Sequence, residues 1–178
     1  MTTVVVDVQR MTLVCDSLCT GGMQFISQKM FTLDDGTLIG VCGVMNNALK
    51  FVEWAKAGYN PKVLPTFSDD SFEAITVGPK GVHVWDSACV GIPIVSGVFA
   101  MGSGSHYARA ALHCGRTAEE AVAVACDLDQ HSGLPIVSKT YETVAPRAVP
   151  RRKAPAKPAA KPAAKAKPAA KKSPARRK

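Results

Sequence analysis

The chain has 178 residues, a formal net charge of +8 and 47% apolar side chains. That length suffices for one domain with a real core, and no stretch approaches the ~20 apolar residues of a membrane span. The charge is uneven: residues 146–178 hold 13 of the 22 Lys/Arg and none of the 14 Asp/Glu, leaving 9 basic against 14 acidic side chains in residues 1–145.

In chain order, residues 2–9 read as a strand, because β-branched residues crowd Thr2-Thr3-Val4-Val5-Val6-Asp7. Arg10 and Met11 turn the chain into a second strand over 12–16, giving an early hairpin. Residues 18–22 read as a loop, with Gly21-Gly22 marking a turn or bulge. Two short strands are expected within 23–33, then a turn at Asp34-Asp35-Gly36 and a buried strand over 37–42 that ends at Gly43. The period then changes. Ala48, Leu49, Val52 and Ala55 share a face, which predicts a helix over 44–57 closed by Gly58. A loop with Pro61 and Pro65 leads to strands over 71–77 and 82–85, joined by a turn at 78–81. Residues 86–98 hold a further strand or two, and Pro93 places one at an edge. Residues 99–103 lead into a helix from Ser105. Thr117 and Glu120 form a capping box for a last helix running to about His131, and residues 136–141 form the final strand. Hairpins with consecutive helices predict layered packing.

Thr2 follows the initiator Met. Removal of Met1 would expose a threonine whose α-amine, with a reference pKa near ~8, can act as a base beside its own Oγ. The six cysteines, at 15, 19, 42, 89, 114 and 126, lie mostly in apolar runs and read as small buried side chains. Neither they nor the four histidines show zinc-ligand spacing, so no metal and no cofactor is expected. Asp7 and Arg10 interrupt any signal-peptide pattern, which predicts a cytoplasmic protein.

With these elements placed, residues 2–141 resemble the proteasome β-type subunits and the bacterial heat-shock-locus V peptidase, which are N-terminal-nucleophile hydrolases. The matching segments are the Thr2-Thr3 start, Asp16 at the end of the second strand, Gln28-Lys29-Met30-Phe31, Gly40-Val41-Cys42-Gly43 before a helix, Gly102-Ser103-Gly104 before a helix, and Asp129 with Ser132-Gly133. The resemblance implies an α+β fold, a four-layer αββα sandwich over residues 1–145. It implies threonine-type peptide hydrolysis, with Thr2 as nucleophile, Lys29 assisting it and Asp16 holding Lys29. Asp129, Ser132 and Ser103 would orient the α-amine, and the Gly43 N–H would stabilise the oxyanion. Met45 would line the substrate pocket and favour apolar side chains. The resemblance also implies a hexameric or heptameric ring, single or double, served by an ATP-dependent unfoldase. Two departures stand out: Leu128 precedes Asp129 where the family often has Arg, and Leu18-Cys19 replaces more polar residues. The short chain without a propeptide favours the bacterial or phage-like branch.

Residues 146–178 form a different kind of sequence. Seven of the 12 prolines lie there, Lys-Pro-Ala-Ala units repeat, and no large apolar side chain follows Val149. Such a segment is expected to be disordered, and it resembles the tails of linker histones. Its cations, Arg151, Arg152, Lys153, Lys157, Lys161, Lys165, Lys167, Lys171, Lys172, Arg176, Arg177 and Lys178, are candidates for nonspecific phosphate contacts with nucleic acid. The alternative to a peptidase is therefore a noncatalytic oligomeric structural protein that binds nucleic acid through this tail.

Overall fold

The computed structural model describes residues 2–68 and 72–142. The expectations for residues 146–178, disorder and nucleic-acid binding alike, lie outside the described residues. Eleven strands and three helices alternate among those described: β1 Thr3–Asp7, β2 Thr12–Cys15, β3 Leu18–Gly21, β4 Met23–Ile26, β5 Met30–Thr32, β6 Leu38–Gly43, α1 Met45–Lys56, β7 Phe72–Gly78, β8 Gly81–Trp85, β9 Ile92–Ile94, β10 Val98–Gly102, α2 Ser105–His113, α3 Ala118–Leu128 and β11 Val137–Thr140.

The strands form an antiparallel four-stranded sheet, β10-β1-β2-β11, a five-stranded sheet, β5-β6-β7-β8-β9, and the separate hairpin β3-β4. Alternation along β1 explains the packing. Val4 and Val6 join Leu13, Leu38, Ile75 and Val77 in a core with residues from both sheets. Val5 points the opposite way and packs with Val14, Ala108, Ala121 and Val122, the last three from α2 and α3. The outer face of the five-stranded sheet buries Ile39, Val41 and Ala74 with Ala48, Phe51, Val52 and Ala55 of α1. Gly40 permits close approach of the sheets: a Cβ there would lie 2.9 Å from Val4 Cγ1 and 3.2 Å from Cys15 Sγ.

Several boundaries differ from the sequence reading. Leu18–Gly21, read as a loop, is a strand paired with β4; the Gly21-Gly22 turn is its hairpin, with φ +78° at Gly22. Residues 99–102, read within the lead-in to α2, belong with Val98 to β10, whose register runs from Thr3 opposite Gly102 to Asp7 opposite Val98. The first turn needs no Gly or Asn at its centre, because the Asp7 carboxylate accepts from the Gln9 and Arg10 N–H groups and Met11 takes φ +51°. The capping box of α3 is present, with Thr117 and Glu120 bonded reciprocally, but the helix ends at Leu128 rather than near His131. Asp129 has an extended ψ of 116°. Trp54 and Trp85 are packing anchors: together with Phe51 and Tyr59 they form an aromatic cluster over the sheet, with Tyr59 stacked on Trp85 at 5.2 Å. Of the residues that share the predicted helix face, Ala48, Val52 and Ala55 belong to the core, whereas Leu49 is 42% exposed.

Candidate active site

Thr2 lies immediately before β1 and is itself buried. Two polar constellations meet its end of the strand, one built on β2 and the other on the loop after α3.

The first is the pair Asp16–Lys29. Neither side chain is exposed to solvent. Lys29 Nζ donates to Asp16 Oδ1 at 2.9 Å and to Oδ2 at 3.0 Å, and also to the Leu18 carbonyl. Asp16 accepts three backbone N–H groups besides: Thr3 at 2.9 Å, Leu18 at 3.1 Å and Gly133 at 3.0 Å. A carboxylate so surrounded is held in one orientation, and its charge is compensated without water. Asp16 can collect these donors because β2 ends at Cys15, freeing the next backbone to turn. Its own N–H still bonds the Thr3 carbonyl at 3.1 Å. Three segments, around residues 2–3, 16–18 and 133, are thus tied to one carboxylate.

The second constellation is centred on Asp129. Ser103 Oγ donates to Asp129 Oδ2 at 2.6 Å and Ser132 Oγ donates to the same oxygen at 2.7 Å. The Thr3 and Ser132 hydroxyls are 2.6 Å apart. A serine hydroxyl has one proton. Ser132 has spent its proton on Asp129, so Thr3 is the donor to Ser132. By the same logic Ser103 accepts from the Thr2 N–H, 3.3 Å away. The hydrogen bonds therefore run from Thr2 N through Ser103 into Asp129, and from Thr3 through Ser132 into the same carboxylate. Burial alone would raise the Asp129 carboxyl, but the bonds from Ser103, Ser132 and the His131 N–H outweigh it, and the net shift is below the ordinary carboxylate value. The early end of α3 makes this possible, because an extended Asp129 carries its side chain back toward Ser103.

Two glycines are required by the crowding. Gly102 has φ +87°, and a Cβ there would strike the Thr2 carbonyl. A Cβ on Gly104 would collide with Thr3 Oγ1 and lie 3.0 Å from Ser132 Oγ. Gly-Ser-Gly is thus a tight fit on both sides of Ser103.

Beside Thr2 opens a cleft of about 670 Å³. Gly43, Met45 and Ser103 line it with Thr2; Val41, Ala48 and Phe72 supply apolar wall. Gly43 adopts φ +91° where β6 passes into α1, a conformation that strains any residue with a Cβ. Its exposed backbone faces this cleft. All the residues singled out in the body, Thr2, Asp16, Lys29, Gly43, Met45, Ser103, Asp129 and Ser132, are thus gathered at one end of the sheets or on the cleft wall. Sequence reasoning missed Thr3, which looked only like a strand residue, and Glu73, which sits on the cleft wall opposite Cys42 in the β6–β7 register. The available signal for Thr3 was its place beside Thr2 in a strand, where alternation turns it to the opposite face. Among the described residues no group of His, Cys, Asp and Glu is arranged to hold a metal, and no helix is long and apolar enough to cross a membrane.

No protein-family model matches the chain, and no curated protein matches it by sequence. Solved structures do match. The chain is similar to the BPH protein of Thiobacillus denitrificans at 18% identity and a TM-score of 0.61, covering 81% of this chain and 99% of that one. The same protein in complex with epoxomicin matches with a TM-score of 0.60 and covers 100% of that chain. The eukaryotic HslV of Trypanosoma brucei matches at 22% identity and a TM-score of 0.59, covering 78% of this chain and 98% of that one. At such identities the likeness establishes a shared fold, a mixed arrangement of sheets and three helices that spans nearly the whole of each relative.

Proposed function

We propose that this protein is a threonine-type peptidase of the N-terminal-nucleophile class, and that its layered packing is the αββα sandwich of that class. The observation that carries the reading is the meeting of two separately built networks at Thr2 and Thr3. One joins the Lys29 ammonium to Asp16, which accepts from the Thr3 N–H. The other grips the Thr2 nitrogen itself through Ser103.

Removal of Met1 turns that nitrogen into a free α-amine. Its bond to Ser103 fixes its orientation, so that a lone pair is available toward Thr2 Oγ. The hydroxyl attacks the substrate carbonyl carbon, and its proton passes to the amine. Negative charge develops on the carbonyl oxygen, where the Gly43 N–H donates to it. The peptide C–N bond then breaks, the departing amine takes the proton, and an ester to Thr2 remains. A water molecule attacks this ester, giving its proton to the α-amine, and the hydroxyl is restored. Lys29 supplies positive charge that stabilises the developing alkoxide, and Asp16 keeps that ammonium in place. This arrangement needs no cofactor.

The resemblance to ring-forming peptidases extends the proposal to a hexameric or heptameric ring, single or stacked in pairs, fed by an ATP-dependent unfoldase. The exposed apolar side chains of β4, with Met23 at 76% and Ile26 at 58% exposure, fit a surface covered by a neighbouring copy. The 13 Lys/Arg of residues 146–178 support nonspecific nucleic-acid tethering as a role for the tail.

The test has two parts. Intact mass of the protein from its native cell should show Met1 absent. Hydrolysis of unfolded polypeptide should vanish in Thr2→Ala, persist in part in Thr2→Ser, and survive deletion of residues 146–178. Retention of Met1, or undiminished hydrolysis in Thr2→Ala, ends the peptidase reading and favours the structural one.

A further inference from the structure

The cleft beside Thr2 mixes apolar wall with the hydroxyls of Thr2, Thr20 and Ser103. Among its described lining residues Glu73 alone carries a formal charge. It stands on β7 directly opposite Cys42 of β6, and Cys42 Sγ donates to Glu73 Oε2 at 3.6 Å. The carboxylate is therefore turned inward along the wall that also holds Thr2 and Gly43. Burial, followed by the Glu73 charge and hydrogen bond, pushes the Cys42 thiol up to about 12, so Cys42 stays a neutral donor at physiological pH. Its weak bond satisfies one lone pair, and a carboxylate offers about four.

We infer that this cleft selects a cationic side chain, Arg or Lys, next to the scissile bond, with Glu73 as the specificity-determining residue. The inference rests on the peptidase reading above and departs from the apolar preference expected from Met45 alone. A long basic side chain suits both parts of the wall. Its methylene stem packs against Met45, Ala48 and Phe72, while its charged head reaches the carboxylate. An apolar substrate side chain would cover Glu73 without pairing it, and covering an unpaired carboxylate is costly. Selection thus comes from attraction of the cation and rejection of the alternative.

Pairs of internally quenched peptides that differ only in Arg or Leu beside the cleaved bond provide the test, with the bond located by mass spectrometry. Processed wild-type protein should prefer the Arg peptide. The Arg-over-Leu ratio of kcat/KM should fall about tenfold in Glu73→Gln, the scale of losing one charge-assisted contact, and further in Glu73→Lys. A ratio unchanged in both variants, or a wild-type preference for Leu, overturns the inference. Glu73 is an exposed strand residue and Gln has its shape, so the first variant folds. A second measurement separates this inference from the reading beneath it. Calorimetry on Thr2→Ala compares peptides ending in Arg and in Leu. Tighter binding of the Arg peptide, lost in Thr2→Ala/Glu73→Gln, upholds the selectivity even if no peptide is ever cleaved. Equal binding of the two peptides refutes it even if cleavage occurs.

Discussion

Lys29→Met tests the burial argument at its strongest point. The substitution keeps an unbranched apolar stem and removes the charge from a pair with no solvent exposure on either side chain. Breaking a buried ion pair by removing one partner costs ~3–5 kcal/mol, since the other charge is left uncompensated. Here Asp16 keeps three backbone donors, from Thr3, Leu18 and Gly133. Each such bond to a charged group is worth about 1.5–3 kcal/mol, so the carboxylate remains partly solvated by protein dipoles. The loss should therefore fall near the lower bound, about 3 kcal/mol, even though the Leu18 carbonyl also loses its donor. With a urea slope of ~2 kcal/mol per molar, the unfolding midpoint drops by roughly 1.5 M. Equilibrium urea denaturation followed by tryptophan fluorescence reads this directly, because Trp54 of α1 and Trp85 of β8 both pack in the cluster between α1 and the five-stranded sheet. Hydrolysis should be lost under conditions where the variant is still folded. A midpoint shift below about 0.3 M at unchanged slope would mean that the pair is effectively solvated, and the reasoning from burial would fail.

Three further outcomes follow from the same geometry. Gly102→Ala places a Cβ against the Thr2 carbonyl at φ +87°; it should lower stability by about 1–3 kcal/mol and abolish hydrolysis, as read by calorimetric melting and peptide turnover. Asp129→Asn removes a carboxyl whose folded-state value lies below its ordinary one. A depressed carboxylate contributes stability above its unfolded value, near ~4, and loses it as pH falls through the folded value. Wild type should therefore lose stability relative to Asp129→Asn on acidification, and parallel curves from pH 7 to pH 3 would contradict this. Finally, iodoacetamide on the native protein should label exposed Cys114 and spare buried Cys15 and Cys42, whose thiols burial pushes up. Peptide mapping that found Cys42 labelled as fast as Cys114 would refute the described burial.

Local chemistry made much of this protein legible in one dimension. The β-branched run after Thr2, the Asp34-Asp35-Gly36 turn, the helix ending before Gly58 and the Thr117–Glu120 capping box each depend on neighbours within a few residues, and each appears where the pattern placed it. The candidate residues were legible as an ordered set of short motifs. Their connections were not, because a hydroxyl does not announce its partner. Thr3 and Ser132 are 129 positions apart, and Ser103 and Thr2 are 101 apart. Residues 99–102 were misread for a related reason. Their strand character comes from hydrogen bonds to β1, a partner almost a hundred residues away, and a following helix masks the signal. The end of α3 at Leu128 was likewise decided by tertiary contact, since Asp129 exchanges helical geometry for two serine hydroxyls. Glu73 shows the limit most clearly. On the strand it is an ordinary exposed acidic residue, and it becomes the charged point of a cleft only because β6 lies beside β7 and brings Gly43 and Thr2 to the same wall. Secondary structure is set by short-range torsional and side-chain preferences, whereas a site is set by which distant segments the core forces together.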